Sequence, residues 1–128
     1  MCSSDLVRDW QRHTSQFTPG KNFPATGAFG PAMVTTDELK DITKQTLTTR
    51  LNGVVKQQAT IDMMIFDIPE QIAYISNFTP LKPGDVIVTG TPGGVGFARN
   101  PPEFMKVGDT VEVEITGVGV LRNTIKEG

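Results

Sequence analysis

Thr46-Leu47-Thr48-Thr49-Arg50-Leu51-Asn52-Gly53-Val54-Val55-Lys56-Gln57 is a β-hairpin by every local rule, and the fold follows from it. Thr46 to Leu51 leans to β structure because its threonines are β-branched and suit a pleated surface. Asn52-Gly53 supplies the positive φ angles of a type I′ turn, and Val54 to Gln57 returns alongside. C-terminal to it, Lys106-Val107-Gly108-Asp109 turns into Val111-Glu112-Val113-Glu114-Ile115, whose alternation predicts a strand with one wet face. Thr116-Gly117-Val118-Gly119 then reverses the chain into Val120 to Ile125. A second Lys-x-Gly-Asp turn, Lys82 to Asp85, leads into the apolar run Val86-Ile87-Val88, a further predicted strand.

Helical signals are few. Thr35-Thr36-Asp37-Glu38-Leu39 starts a turn or two, with hydroxyls to cap and acids at the positive end of the dipole. Asp67 caps a firmer helix with Pro69 in its first turn, and Ile68, Ile72, Ala73, Ile75 and Phe78 recur at helical spacing, predicting a buried face. Arg12 to Pro31 is polar and broken by Gly and Pro, which predicts a long ordered loop. The fold class is α+β, rich in hairpins and loops, with no regular βαβ alternation.

At 128 residues the chain fits one domain, and 38% hydrophobic with 20% charged residues is a globular composition. Twelve basic against fourteen acidic residues give a net charge of -2, which leaves no electrostatic footprint for nucleic acid. The lone Cys2 excludes an internal disulfide and a cysteine-cluster metal site, and a reducing cytoplasmic setting is expected. No apolar run approaches the roughly twenty residues of a membrane span, and a signal peptide is not expected. Met1 to Leu6 can be encoded by a run that reads like sequencing-adapter DNA (TGC TCT TCC GAT CTN after the ATG). Residues 1–6 are therefore expected to be a non-native leader and 7–128 a partial domain. A full-length transcript with this same start would overturn that expectation.

Three segments could carry chemistry. Thr89-Gly90-Thr91-Pro92-Gly93-Gly94-Val95-Gly96 lacks the Gly-Lys-Ser/Thr ending and the Gly-x-Gly-x-x-Gly spacing of nucleotide loops. It reads better as a backbone wall that a small ligand can approach, with the Thr91 hydroxyl as a donor. A tight turn is the plainer alternative, favoured roughly two to one on spacing alone. In Gly20-Lys21-Asn22-Phe23-Pro24, Lys21 could present a fixed cation to a carboxylate or enolate, the plain alternative being a solvated lysine. In Val7-Arg8-Asp9-Trp10-Gln11, a helical turn would put Arg8 and Gln11 on one face, where both could hold a carboxylate; the alternative is a surface turn anchored by Trp10. His13 stands alone, and Asp62, Asp67, Asp85 and Asp109 each read as cap or turn residues.

Taken in order, Arg8-Asp9-Trp10-Gln11, Gly20 to Pro24 with Gly27-Ala28-Phe29-Gly30-Pro31, Thr49 to Gly53, Leu81 to Ile87, Thr89 to Gly96 and Gly108 to Ile115 resemble the C-terminal region of the fumarylacetoacetate hydrolase family. That resemblance covers Val7 to Gly128. It implies a mixed β-roll, a homodimer, and Mg²⁺ or Mn²⁺ in an open site of oxygen ligands. It also implies action on small 2-oxo acids through a metal-stabilised enolate: acylpyruvate hydrolysis, isomerisation, or decarboxylation of oxaloacetate-like acids. By position, Arg8 and Gln11 are implied contacts to substrate oxygens. Lys21 is the implied catalytic cation and Gly90 and Thr91 the implied carboxylate wall. The family's Glu-x-Glu metal ligands would lie upstream of this chain. Its metal-binding Asp falls on Ser4, and Asp5 is one residue out of register, which on a strand reverses the side chain. The chain alone is therefore expected to bind no metal and to be inactive, and a non-catalytic ligand-binding or dimerisation module is the other reading.

Overall fold

A computed structural model describes residues 2–4 and 7–127. The hairpin forms as predicted, with β3 at Thr46–Leu51 and β4 at Val54–Thr60, the latter three residues longer than expected. Asn52 at φ 50° and Gly53 at φ 78° make its turn, between the opposed pair Leu51 and Val54. Preceding it are β1 (Cys2–Ser4), α1 (Arg8–Gln11) and β2 (Gly27–Phe29); following it are α2 (Ile68–Ser76), β5 (Thr110–Ile115) and β6 (Gly119–Thr124). The main sheet runs β4-β3-β5-β6, and β1 pairs with β2 in a second, smaller sheet. Every pairing described is antiparallel, so any parallel pairs of a mixed roll are not among the described residues.

Register explains the core. Leu47, Thr49 and Leu51 of β3 lie opposite Ile115, Val113 and Val111 of β5, and Val113 and Val111 lie opposite Leu121 and Asn123 of β6. These residues share one face, and Val111, Val113 and Leu121 are the buried hydrophobic side chains. Glu112 and Glu114 alternate onto the other face, where Arg50 meets Glu114 at 2.6 Å and Arg122 Nε donates to Glu112 at 2.8 Å. Such partly exposed pairs set register more than they stabilise. Asn123 sits on the dry face with a buried Nδ2 that has no hydrogen-bond partner among the described residues. Removing an orphaned buried donor relieves its desolvation cost, so Asn123→Val should stabilise the fold by about 1 kcal/mol. A thermal melt with an unchanged or lower midpoint would refute this.

The two Lys-x-Gly-Asp turns are built alike. Asp85 Oδ2 accepts from Lys82 N at 2.8 Å and Asp109 Oδ2 from Lys106 N at 2.7 Å, with Gly84 and Gly108 at φ 99° and 93°. Asp109 also accepts from Asn52 Nδ2 at 2.8 Å, while Asn52 Oδ1 accepts from Thr110 N at 2.9 Å, so the hairpin turn and the β5 turn brace each other. The Asn52 amide, followed by the Lys106 N–H, holds the Asp109 carboxyl below its ordinary 3.8. A lowered folded value contributes stability above the ordinary one and loses it as pH falls through the lowered value. The urea midpoint should therefore drop between pH 5 and pH 3, and the drop should be smaller in Asp109→Asn.

Three expectations need correction. Val86 to Val88 forms no strand: Val86 and Val88 are more than half exposed, and the run has no ladder partner among the described residues. Helix α2 starts as predicted, with Asp67 accepting from Glu70 N at 2.8 Å, yet none of its residues is buried and Ile72 and Phe78 are exposed. Its apolar stripe is left uncovered among the described residues. The Thr35 signal gives one hydrogen-bonded turn, Thr35 O accepting from Glu38 N and Leu39 N, within the turn or two expected, with a 3-10 turn at Ile42–Lys44 after it. The loop from Arg12 to Pro31 contains β2 and a 3-10 turn at Thr18–Lys21. The chain exposes 9320 Å² in all. A compact chain of this length would expose about 6,700 Å².

Candidate active site

Helix α1 and the Lys21 turn are held together by backbone. Val7 N donates to Gly20 O at 2.9 Å, and Gly20 is buried against α1. A Cβ on Gly20 would stand 3.0 Å from Gln11 Cα, Gln11 N and Val7 O, so glycine is what lets Lys21 sit beside the Arg8 helix. Trp10 fastens the pair from outside, its ring 4.6 Å from His13 and 5.6 Å from Phe23 between centroids. Arg8 lies over the Phe97 ring at 4.8 Å, Arg12 over the same ring at 4.9 Å, and Arg8 Nη1 donates to Gln11 Oε1. Stacking plus that hydrogen bond fixes the plane of the Arg8 guanidinium.

Opposite α1, the glycine-rich segment docks on β4 at a β-bulge. Thr49 pairs with Gln57 but Arg50 pairs with Val55, so Lys56 is the extra residue. A bulged residue drops out of the ladder. The Lys56 carbonyl is taken instead by Arg99 Nη2, while Arg99 Nε donates to Gly94 O at 3.2 Å. Lys56 Nζ meets Glu103 at 2.6 Å, and Arg99 lies 3.6 Å from the same carboxylate. Gly94 approaches so closely that a Cβ would stand 2.7 Å from Lys56 O, and its φ is 96°. Gln57 Nε2 reaches Thr91 Oγ1 at 3.0 Å, Pro92 O at 2.8 Å and Gly93 O at 3.4 Å.

Between these two walls and the dry face of the sheet lies a cavity of about 490 Å³. Arg8, Lys21, Gly90 and Thr91 all line it, with Leu47, Val111 and Val113 as its floor. Gln11 does not; its amide is buried and turned to Arg8. Asp5 lies outside the described residues, and Ser4 is described only as a β1 position opposite Gly27. Arg8, Lys21, Lys56 and Arg99 line the cavity with Glu103 as the carboxylate among its lining residues, so its field favours an anion. No group of three His, Cys, Asp or Glu among the described residues could hold a metal ion, so these residues do not by themselves fit the implied Mg²⁺ or Mn²⁺. Among the described residues no helix is long and apolar enough to cross a membrane.

Residues 56, 57, 97, 99 and 103 escaped the sequence reading. The parts of 56, 99 and 103 depend on the bulge, which Val54-Val55-Lys56-Gln57, reading as an unbroken strand, does not announce; those of 57 and 97 depend on contacts distant in sequence.

The sequence model for the fumarylacetoacetate (FAA) hydrolase C-terminal region matches residues 3–126, and the chain belongs to that family. It is 42% identical over 120 residues to the mitochondrial oxaloacetate tautomerase Fahd2a of Rattus norvegicus, covering 93% of this chain and 38% of the relative. It is 38% identical over 119 residues to the oxaloacetate tautomerase YisK of Bacillus subtilis (strain 168), covering 93% and 40%. Among solved structures, a fumarylacetoacetate hydrolase from the psychrophile Exiguobacterium antarcticum superposes with a TM-score of 0.91 at 36% identity, covering 96% of this chain and 44% of that one. The chain thus spans about two-fifths of the length of these curated relatives.

Proposed function

We propose that this chain supplies the substrate-carboxylate side of an enzyme that interconverts keto and enol forms of a small 2-oxo acid of the oxaloacetate type. One observation carries the reading: Arg8, Lys21 and the Gly90-Thr91 pair, from three separate segments, line a single cavity whose charge suits an anion. Two curated relatives are named oxaloacetate tautomerases, which favours keto–enol chemistry over hydrolysis or decarboxylation. Keto-to-enol conversion moves one proton from the carbon beside the carbonyl to the carbonyl oxygen. Arg8 and the Thr91 hydroxyl would hold the carboxylate, and the Lys21 ammonium would oppose the charge that grows on the enolate oxygen. Mg²⁺ or Mn²⁺, when bound with ligands beyond the described residues, would chelate the 2-oxo carboxylate.

The test is a pyruvate titration of the 128-residue chain followed by NMR. Saturable shifts at Thr91 and Gly90 that disappear in Lys21→Ala are the expected result; no shift in the unsubstituted chain would sink the proposal. The chain alone should not turn over oxaloacetate, and turnover abolished by EDTA would overturn that part. A metal-free binding module is a second reading, favoured by the missing three-ligand set among the described residues. It requires tight 2-oxo acid binding that added Mg²⁺ leaves unchanged. We also propose a homodimer, because the exposed surface exceeds that of a compact chain; sedimentation at one chain's mass across micromolar concentrations would refute it.

A further inference from the structure

We infer that Gln57 is a positioning residue that turns the Thr91 hydroxyl into a hydrogen-bond donor aimed at the bound anion. The inference rests on the carboxylate reading above and goes beyond it, because it assigns a role to a side chain behind the binding wall.

Proton inventory carries the argument. Pro92 O and Gly93 O can only accept, so the nitrogen end of the Gln57 amide must face them. That nitrogen has two protons and three acceptors within 3.4 Å; the shortest are Pro92 O at 2.8 Å and Thr91 Oγ1 at 3.0 Å. Thr91 Oγ1 is therefore an acceptor toward Gln57. A hydroxyl has one proton and freely rotates it. With a lone pair engaged by Gln57, the Thr91 proton turns away from the amide, and Thr91 lines the anion-favouring cavity. Without Gln57 the hydroxyl could instead spend its proton on a nearby carbonyl and offer lone pairs to the anion, the wrong polarity.

Position follows from the bulge. Gln57 is the last residue in regular register with Thr49 before the extra Lys56, so its side chain shares the dry face with Thr49 and Leu47, directly under the 91–93 segment. Arg99 fastens the far side of the same segment to the Lys56 carbonyl, so the segment keeps a second anchor when the amide is removed.

The experiment is a double-mutant cycle on pyruvate affinity in the 128-residue chain. Gln57→Ala should weaken binding about tenfold when position 91 is Thr, and equally in Thr91→Ser, the effect expected of one charge-assisted hydrogen bond. In Thr91→Val the same substitution should change affinity less than twofold. An equal loss in Thr91→Val would show that Gln57 acts by another route, and no loss at all would show that it does not act; either overturns the inference. Gln57→Met keeps the side-chain length without the donors and without adding charge, and must give the same coupling if Gln57→Ala unfolds. If the unsubstituted chain fails to bind pyruvate, the carboxylate reading and this inference fall together, and that outcome is visible before any substitution is made.

Discussion

Gly96→Ala should release the 91–99 segment from β4 and weaken pyruvate binding by up to about a hundredfold, since forcing extra volume into a packed site costs up to about 3 kcal/mol and each 1.4 kcal/mol is tenfold. A Cβ built on Gly96 falls far inside contact with the Glu103 carbonyl oxygen. That oxygen belongs to backbone, so it cannot swing aside as a side-chain tip would. Gly96 O is itself the acceptor for Arg99 N at 3.2 Å and Glu103 N at 2.9 Å, so pushing the two strands of chain apart breaks the turn that aims Arg99 and Glu103 at Lys56. Far-ultraviolet circular dichroism should stay unchanged, since the four-stranded sheet does not pass through residue 96. Limited trypsin digestion at Arg99 should accelerate. A variant that binds pyruvate within twofold of the parent, with Arg99 still protected, would show that the segment does not depend on this contact.

Arg8→Ala comes next in size, with an expected loss of about thirtyfold in pyruvate affinity, as befits a charge-assisted bond of about 2 kcal/mol. More telling is Arg8→Lys, which should recover little. The guanidinium is held flat by the Phe97 ring at 4.8 Å and tethered to Gln11, and a lysine has neither the plane to stack nor the fork to bind two oxygens. Lysine restoring near-parental affinity would mean that Arg8 contributes only charge to the cavity. Gln11→Ala should cost less than either, because it frees the guanidinium without removing it.

What the sequence made legible was whatever its own neighbours decide. Asn52-Gly53 demanded its turn, Asp67 demanded its cap, and the two Lys-x-Gly-Asp turns closed alike because one aspartate oxygen reaches one N–H three residues back. Burial was less legible. The isoleucine stripe of α2 and the run Val86 to Val88 carry correct local patterns, yet both need a second surface to become core or strand, and no spacing rule supplies one. In the site, Arg8, Lys21, Gly90 and Thr91 could be named because their chemistry points at anions. Arg99 could not, since its role is created by a carbonyl that leaves the ladder at Lys56, nor could Gln57, whose partners Thr91 and Pro92 lie more than thirty residues away.

That extra residue separates two properties that otherwise travel together. Deleting Lys56 would leave Val55 opposite Arg50 and Gln57 opposite Thr49, the partners they already have, so the sheet would lose a kink and keep its pairing. The 91–99 segment would lose the carbonyl that Arg99 grips and the ammonium that Glu103 meets. Chain length at one position, as well as the identity of side chains such as the one at 96, thus decides whether a ligand wall is attached to an unchanged scaffold. Insertions and deletions in this hairpin would tune the cavity in steps that no point substitution reproduces.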